Sequence, residues 1–222
     1  MTNQLKVDRK NCAILFTDIS SFTSIMSNNE EYAYRIIDKM RQLFIPIIEQ
    51  ENGKLVKIIG DGTLSIYNQS HNAINCAEDL QINSKTIKDL NIRVGIHFGE
   101  IIKEKNDVFG DVVNIAKRLE SLAKSGSVLV SKEAIENIGI NHEFKFVSLG
   151  LQALKGVGRL IEVFALNSPN LLVPNIEEFQ KSSIHVHKDD EVPSIAIIPF
   201  ENKGAEEDIF YTYGISSDLI SD

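Results

Sequence analysis

Apolar residues along this chain follow two different spacings, and each predicts a different kind of element. Between residues 30 and 51 they recur at steps of three and four, which is typical of an amphipathic helix that Pro46 is expected to kink or whose last turn it is expected to mark. Similar steps predict three further helices, at 72–90, 111–124 and 132–138. Continuous or alternating apolar runs predict strands at 12–17, 55–59, 63–67, 92–98, 128–130, 144–149 and 160–166, with a turn at Gly99 into a further short strand. This order predicts an α+β sandwich in which helices cover a mixed or antiparallel sheet.

The strands within 55–67 fold back at a Gly60-Asp61-Gly62 tip. Glycines on both sides permit a tight or left-handed backbone and leave the Asp61 carboxylate presented without crowding neighbours. Taken alone, the tip is better explained as an ordinary turn, because Asp and Gly are common turn residues. Lys57 lies about 13 Å of strand away from Asp61, which is too far for an ordinary ion pair.

A second carboxylate, Asp18, stands at the end of the apolar strand at 12–17. Two aspartates that end strands and are followed by small residues could share divalent cations. The residues after Asp18 begin a helix, and their hydroxyls suit capping, so that backbone amides near Phe22 and Thr23 could meet a phosphate. These positions predict a site for cations and anions together.

Other polar residues are weaker candidates. Asn114 and Arg118 are spaced i, i+4, so they lie on one helix face and can reach one ligand. Taken alone, Arg93 and Lys155 would be solvated charges, and His97 is expected to be a packed strand histidine without a catalytic role.

Composition limits the class of protein. With 222 residues and 43% hydrophobic residues, the chain can bury the core of one large domain and part of another. A formal charge of −8 argues against broad contact with nucleic acid, so an anionic ligand needs a local basic pocket.

Cys12 and Cys76 are too few for a metal-thiolate motif and are expected to be reduced core thiols. No apolar run approaches the roughly 20 residues that span a bilayer, and a cytoplasmic protein without a membrane segment is expected.

Five ordered segments within residues 10–166 resemble the catalytic domain of class III nucleotidyl cyclases. They are 16–23 (FTDISSFT), 57–61 (KIIGD), 93–97 (RVGIH), 107–118 (DVFGDVVNIAKR) and 154–157 (LKGV). The resemblance implies a ferredoxin-like cyclase sandwich, with the catalytic domain over residues 1–166. One residue departs from the family pattern: Ser21 stands where the family usually has glycine.

The resemblance also implies roles for individual residues. Asp18 and Asp61, with the Ile19 carbonyl, would hold two Mg²⁺ or Mn²⁺ ions per active site, and hard cations of this kind prefer carboxylate ligands. Asn114 would orient the ribose and Arg118 would stabilise charge on the α-phosphate. Arg93 and Lys155 would grip the terminal phosphates, with Phe22 and Thr23 also binding substrate.

The base is predicted from the donors and acceptors that would face it. Lys57 can donate to adenine N1, and Asp107 can accept from the exocyclic amine, whereas guanine presents the reverse pattern. The resemblance implies that guanylyl cyclases have an acidic and a small residue here, so ATP is the expected substrate. Alternatives are a guanylate cyclase or a catalytically weak ATP-binding module that signals through its dimer state. A diguanylate cyclase is excluded because its Gly-Gly-acidic-acidic-Phe signature is absent.

Sites in this family lie between two domains, one supplying the metal residues and Arg93 and the other supplying the remaining groups. Since this chain holds both sets, we expect a head-to-tail homodimer with two shared active sites.

The rest of the chain has a different composition. Residues 167–192, rich in Asn, Pro, Ser, Lys and Asp, predict a linker. Residues 193–222 predict a strand and the beginning of a helix, and resemble the start of a TolB-like domain that is cut short at residue 222. Tyr213 there replaces a usual acidic residue. The resemblance implies a longer native chain, with a regulatory TolB-like or helical-repeat region at its C-terminus.

Overall fold

The computed structural model describes residues 8–105, 107–140, 142–177 and 179. All of them lie in the first of two units of the chain, Met1–Ile184. The predicted TolB-like segment and most of the predicted linker lie outside the described residues, so the boundaries at 166 and 192 stay predictions.

An eight-stranded mixed sheet forms the centre of the described unit. Its strand order is β2-β3-β1-β4-β6-β8-β7, with β5 paired to β4, and β4 runs parallel to β6 while the other pairs are antiparallel. The strands are β1 Asp8–Ile19, β2 Lys54–Ile59, β3 Gly62–Tyr67, β4 Ile92–Glu104, β5 Asp107–Phe109, β6 Val128–Ser131, β7 Phe146–Ala153 and β8 Leu160–Leu166. The predicted α+β sandwich with a mixed sheet is confirmed.

Five helices flank this sheet among the described residues, namely α1 Phe22–Asn28, α2 Glu30–Gln50, α3 Ser70–Ser84, α4 Asp111–Leu122 and α5 Lys132–Ile138. The side chain of Asn29 caps α2 by accepting a hydrogen bond from the Tyr32 amide. Pro46 lies inside α2, about one turn before the helix ends at Gln50, in agreement with the prediction that it marks the last turn. None of the helices in the described part is both long and apolar enough to cross a bilayer.

Side chains on β1 alternate between two cores, as the period of a strand requires. Ala13 and Leu15 pack with α2 and α3 on one face of the sheet, whereas Ile14 and Phe16 pack with Ala116 of α4 on the other. The apolar stripe of each helix therefore covers one face of the same strand, which fixes β1 in the middle of the sheet.

Several of the element boundaries predicted from the sequence were wrong. β4 runs through Gly99 without a turn. The glycine serves packing instead, because a side chain there would meet Val112 of α4 at 2.7 Å. α3 ends at Ser84 rather than at residue 90, and the Thr86 hydroxyl donates to the Asn83 carbonyl just beyond its end. β5 was not predicted, and β7 covers 146–153 instead of 144–149.

Candidate active site

Asp18, the penultimate residue of β1, lies opposite Gly62 on β3 and opposite Arg93 on β4. A side chain at Gly62 would come within 2.3 Å of the Thr17 carbonyl, so only glycine lets the hairpin approach β1 this closely. The hydroxyls of Thr17 and Thr63 are 2.7 Å apart, and this hydrogen bond stabilises the same register of β1 with β3. The hairpin tip thereby carries Asp61 beside Asp18, as the predicted cation site requires.

The negative charge of Asp18 opposes the ionisation of Asp61. Burial, and then the charge of Asp18, raise the pKa of Asp61 above its usual value, although Lys117 and Arg93 act in the opposite direction. A divalent cation between them would relieve this repulsion, so the pair fits a hard cation.

Further ligands at this site would have to come from the backbone or from water. No group of three or more His, Cys, Asp or Glu side chains is arranged to hold a metal among the residues that the structure describes. The Ile19 side chain is apolar and buried, so only its backbone carbonyl could serve as a ligand, and that role stays a prediction.

Arg93 joins Asp18 to a residue that the sequence analysis missed. Its Nη2 and Nε donate to Asp18 Oδ2 at 2.6 and 3.1 Å, and its Nε also lies 2.7 Å from Glu120 Oε1. Because the Nε hydrogen is directed at Asp18, the Glu120 contact is an ion pair without a well-aligned hydrogen bond. Arg93, expected to bind phosphate, is thus held on the metal side by two carboxylates.

Glu120 and Lys117 of α4 complete this cluster. Glu120 is fully buried, and burial raises the pKa of its carboxyl. Lys117 donates to Glu120 Oε2, and its Nζ lies 3.9 Å from Asp18 Oδ1. The sequence held one signal for Glu120: it stands four residues after Ala116, on the apolar face of the helix.

Lys57 and Asp107 form an ion pair of 2.6 Å between β2 and β5. The hydrogen bond from Lys57, and a second from the Val108 amide, lower the pKa of the Asp107 carboxyl. The two residues predicted to read the base therefore lie together within one chain.

Arg118 and Lys155 also meet. Arg118 Nε donates to the Lys155 carbonyl at 2.9 Å, which ties α4 to the loop between β7 and β8. In that loop Gly156 has a positive φ of 79°, a conformation that favours glycine. Asn114 is exposed one turn before Arg118 on α4, so both side chains are open to a ligand as the spacing predicts.

Phe22 and Thr23 are the first two residues of α1. Phe22 is half-buried and packs against the core beneath α2 and α3, while Thr23 is exposed. Ser21 before them has a φ of 61°, which places it in the left-handed region. This conformation gives a physical reason for glycine at this position.

Three residues that the sequence predicts to be packed in the interior are buried. His97 is buried, and its Nδ1 lies 2.7 Å from the Ser131 hydroxyl, which confirms a packed strand histidine. Cys12 and Cys76 are buried free thiols, as predicted.

Comparisons with known proteins agree on one family. The model of the adenylate and guanylate cyclase catalytic domain matches residues 6–168. "Putative adenylate cyclase 3" of Rhizobium meliloti is 29% identical over 227 residues, covering 97% of this chain and 38% of that protein. An adenylate cyclase of Streptomyces coelicolor is 31% identical over 136 residues, covering 60% of this chain and 35% of that protein. The chain thus spans little more than a third of the length of these two relatives.

A solved structure agrees with the sequence relatives. The crystal structure of an adenylate/guanylate cyclase/hydrolase from Silicibacter pomeroyi has a TM-score of 0.67 and 32% identity, covering 73% of this chain and 99% of that chain. The family match ends at residue 168, and the TolB-like resemblance beyond it stays a prediction. By its sequence and by its fold, this chain belongs to the adenylate and guanylate cyclase catalytic domain family.

Proposed function

We propose that this chain is an adenylate cyclase that converts ATP to 3′,5′-cyclic AMP and pyrophosphate. The observation that carries the choice of base is the ion pair of Lys57 with Asp107, which sets one donor and one acceptor side by side. This pair complements adenine, whereas guanine presents the opposite groups. The adenylate cyclase names of two relatives support the same choice.

In the proposed reaction the ribose 3′-hydroxyl loses its proton to water and its oxygen bonds to the α-phosphorus. The bond from that phosphorus to the β-phosphate oxygen breaks, and pyrophosphate leaves with the electron pair. Two Mg²⁺ or Mn²⁺ ions held by Asp18, Asp61 and the Ile19 carbonyl would supply charge stabilisation at the attacking and leaving oxygens.

The side chains of this protein would position the substrate and neutralise its charge. Asn114 orients the ribose, and Arg118, one helical turn later, faces the α-phosphate with its remaining guanidinium donors. Lys155 is brought beside Arg118 by the hydrogen bond to its carbonyl and meets the terminal phosphates. Arg93 meets them from the metal side.

We further propose that two copies form each site in a head-to-tail homodimer. Asp18 at the end of β1 and Asp61 at the hairpin tip before β3 belong to the same region as Arg93 of β4, while Lys57 and Asp107 pair on β2 and β5. One chain carries both sets, so two copies related by a two-fold axis can form two equivalent sites.

The direct test is incubation of the purified protein with Mn²⁺ and either ATP or GTP, with chromatographic separation of the products. We expect cyclic AMP from ATP, and loss of product in Asp18→Ala and Asp61→Ala with retained folding by circular dichroism. Asp38→Asn, an exposed carboxylate of α2, is the control and should keep full activity. Cyclic GMP as the main product would contradict the choice of base, and active aspartate variants at saturating Mn²⁺ would contradict the two-metal mechanism.

A further inference from the structure

Arg93 has two carboxylate partners with very different surroundings. The Asp18 side chain is 15% exposed and stands at the proposed metal site, whereas Glu120 is fully buried. The Arg93 side chain is 33% exposed, so part of it is open to a ligand. The Arg93 guanidinium, which is proposed to bind a phosphate, is therefore held by the Glu120 carboxylate, which solvent does not reach.

The position of Glu120 is set by the packing of α4 on β4. A side chain at Gly95 would lie 2.1 Å from the Glu120 amide and 2.5 Å from the Ala116 carbonyl, so the helix backbone rests directly on the strand. Arg93 and Gly95 are two residues apart and face the same side of β4. This close approach brings the Glu120 carboxylate to Arg93 and leaves it little freedom to move.

A divalent cation at Asp18 would change the partners of Arg93. Asp18 Oδ2 accepts both hydrogen bonds from the guanidinium, and a cation bound to this carboxylate would compete with them. Glu120 Oε1, 2.7 Å from Nε, is the acceptor that remains within reach. Its other oxygen is engaged by Lys117, so Glu120 is occupied by side-chain cations and is not placed as a metal ligand.

We propose that Glu120 is a positioning residue that holds Arg93 beside the phosphate site while Asp18 binds the divalent cation. This inference rests on the proposed function, since it assigns Asp18 to the metal and Arg93 to the substrate. Without Glu120, Arg93 depends on Asp18 alone and competes with the cation for it. Glu120 therefore serves both metal binding and phosphate binding without touching either ligand.

A double-mutant cycle with Glu120→Gln and Arg93→Met tests this role through two measurements. The first is Mn²⁺ affinity without nucleotide, from the electron paramagnetic resonance signal of free Mn²⁺. We expect Glu120→Gln to weaken Mn²⁺ binding about tenfold in the wild-type background and less than about threefold in the Arg93→Met background. Equal fold-changes in the two backgrounds would mean that Glu120 acts only through its charge at a distance, and would overturn the proposal.

The second measurement is steady-state kinetics at saturating Mn²⁺. Glu120→Gln should raise the KM for ATP about tenfold with kcat within about threefold, and the double variant should have no higher KM than Arg93→Met. A KM effect of Glu120→Gln that persists in full on top of Arg93→Met would overturn the proposal.

Controls separate this inference from other failures. Glu136→Gln makes the same charge change on the exposed surface of α5 and should alter neither measurement. If Glu120→Gln does not fold, Glu120→Asp keeps the charge, withdraws the carboxylate from Arg93 and enters the same cycle. A wild-type protein that neither binds Mn²⁺ nor forms cyclic AMP overturns the proposed function and this inference together, whereas an active wild type with an additive cycle overturns only the role of Glu120.

Discussion

Lys57 Nζ and Asp107 Oδ2 lie 2.6 Å apart although the two residues are 50 positions apart in the chain. Each side chain is between a third and a half exposed, so the pair stands at the surface where a base could reach it. Within the chain each partner satisfies the other. An adenine base would have to exchange this ion pair for its own acceptor and donor, and that exchange makes the two residues a testable specificity pair.

The variant Lys57→Glu with Asp107→Cys should shift preference from ATP toward GTP, because it reverses the donor and acceptor pattern that is proposed to face the base. The measurement is the ratio of kcat/KM for the two nucleotides. Lys54→Glu, a charge reversal on the exposed start of the same strand, should leave the ratio unchanged. A wild type that already prefers GTP, or a double variant with the wild-type ratio, would show that these residues do not read the base.

Arg118→Ala should lower kcat by roughly 10²-fold with a smaller change in nucleotide affinity, because in the proposed mechanism its charge acts mainly on the transition state. Arg118→Lys keeps the charge but loses the planar fork that also contacts the Lys155 carbonyl, so it should recover only part of the rate. Single-turnover kinetics and nucleotide binding separate the two effects. An effect on affinity alone would make Arg118 a ground-state binder.

Mixing Asp61→Ala with Arg118→Ala tests the proposed sharing of sites between chains. Each variant alone should be nearly inactive, yet a mixed dimer places both defects in one site and leaves the other intact. With statistical exchange about half of the dimers are mixed, and activity should approach roughly a quarter of wild type. Two affinity tags verify the exchange. Verified mixed dimers as inactive as their parents would rule out independent sites shared between opposite chains.

Ser21→Gly should stabilise the protein, because Ser21 has a φ of 61° and glycine adopts this conformation without a steric penalty. The expected gain is about 0.5–1 kcal/mol in the free energy of unfolding, measured by urea denaturation. Ser24→Gly, inside α1 three residues later, should instead destabilise the protein by about 0.5 kcal/mol or more. Loss of stability in Ser21→Gly would show that the serine side chain contributes more than its backbone conformation costs.

His97 should make stability depend on pH. Burial lowers the pKa of this histidine from 6.5 to about 4, with Glu133 and Asp111 acting against the shift and Arg159 with it. As the pH falls, the unfolded chain therefore binds a proton at a higher pH than the folded chain does. The contribution of His97 to the free energy of unfolding is complete above pH 6.5 and is lost as the pH falls toward 4. Over this range the free energy of unfolding of the wild type should fall by up to about 3 kcal/mol more than that of His97→Gln. Urea titrations of both proteins at each pH measure the difference. Identical pH profiles for the two proteins would contradict this assignment.

The sequence by itself determined the class of the fold and the residue types of the candidate site. The apolar steps in 30–51 and 111–124 matched α2 and α4 to within a residue or two, because each helix must bury a stripe with its own period. The Gly60-Asp61-Gly62 tip was located from local turn chemistry alone. The sequence does not show why position 62 must be glycine, because the Thr17 carbonyl that excludes a side chain there belongs to another strand.

Tertiary structure decided what depends on residues distant in the chain. A turn was predicted at Gly99, yet β4 continues through it. The glycine is explained by the close packing of Val112 and not by a reversal of the chain. Lys57 was placed relative to Asp61 along its strand, but its ion pair with Asp107 arises only when β5 pairs with β4. The place of Glu120 on the apolar face of α4 did not reveal its partner. Packing of α4 on Gly95 encloses Glu120 beside Arg93, and burial depends on the neighbours that folding assembles.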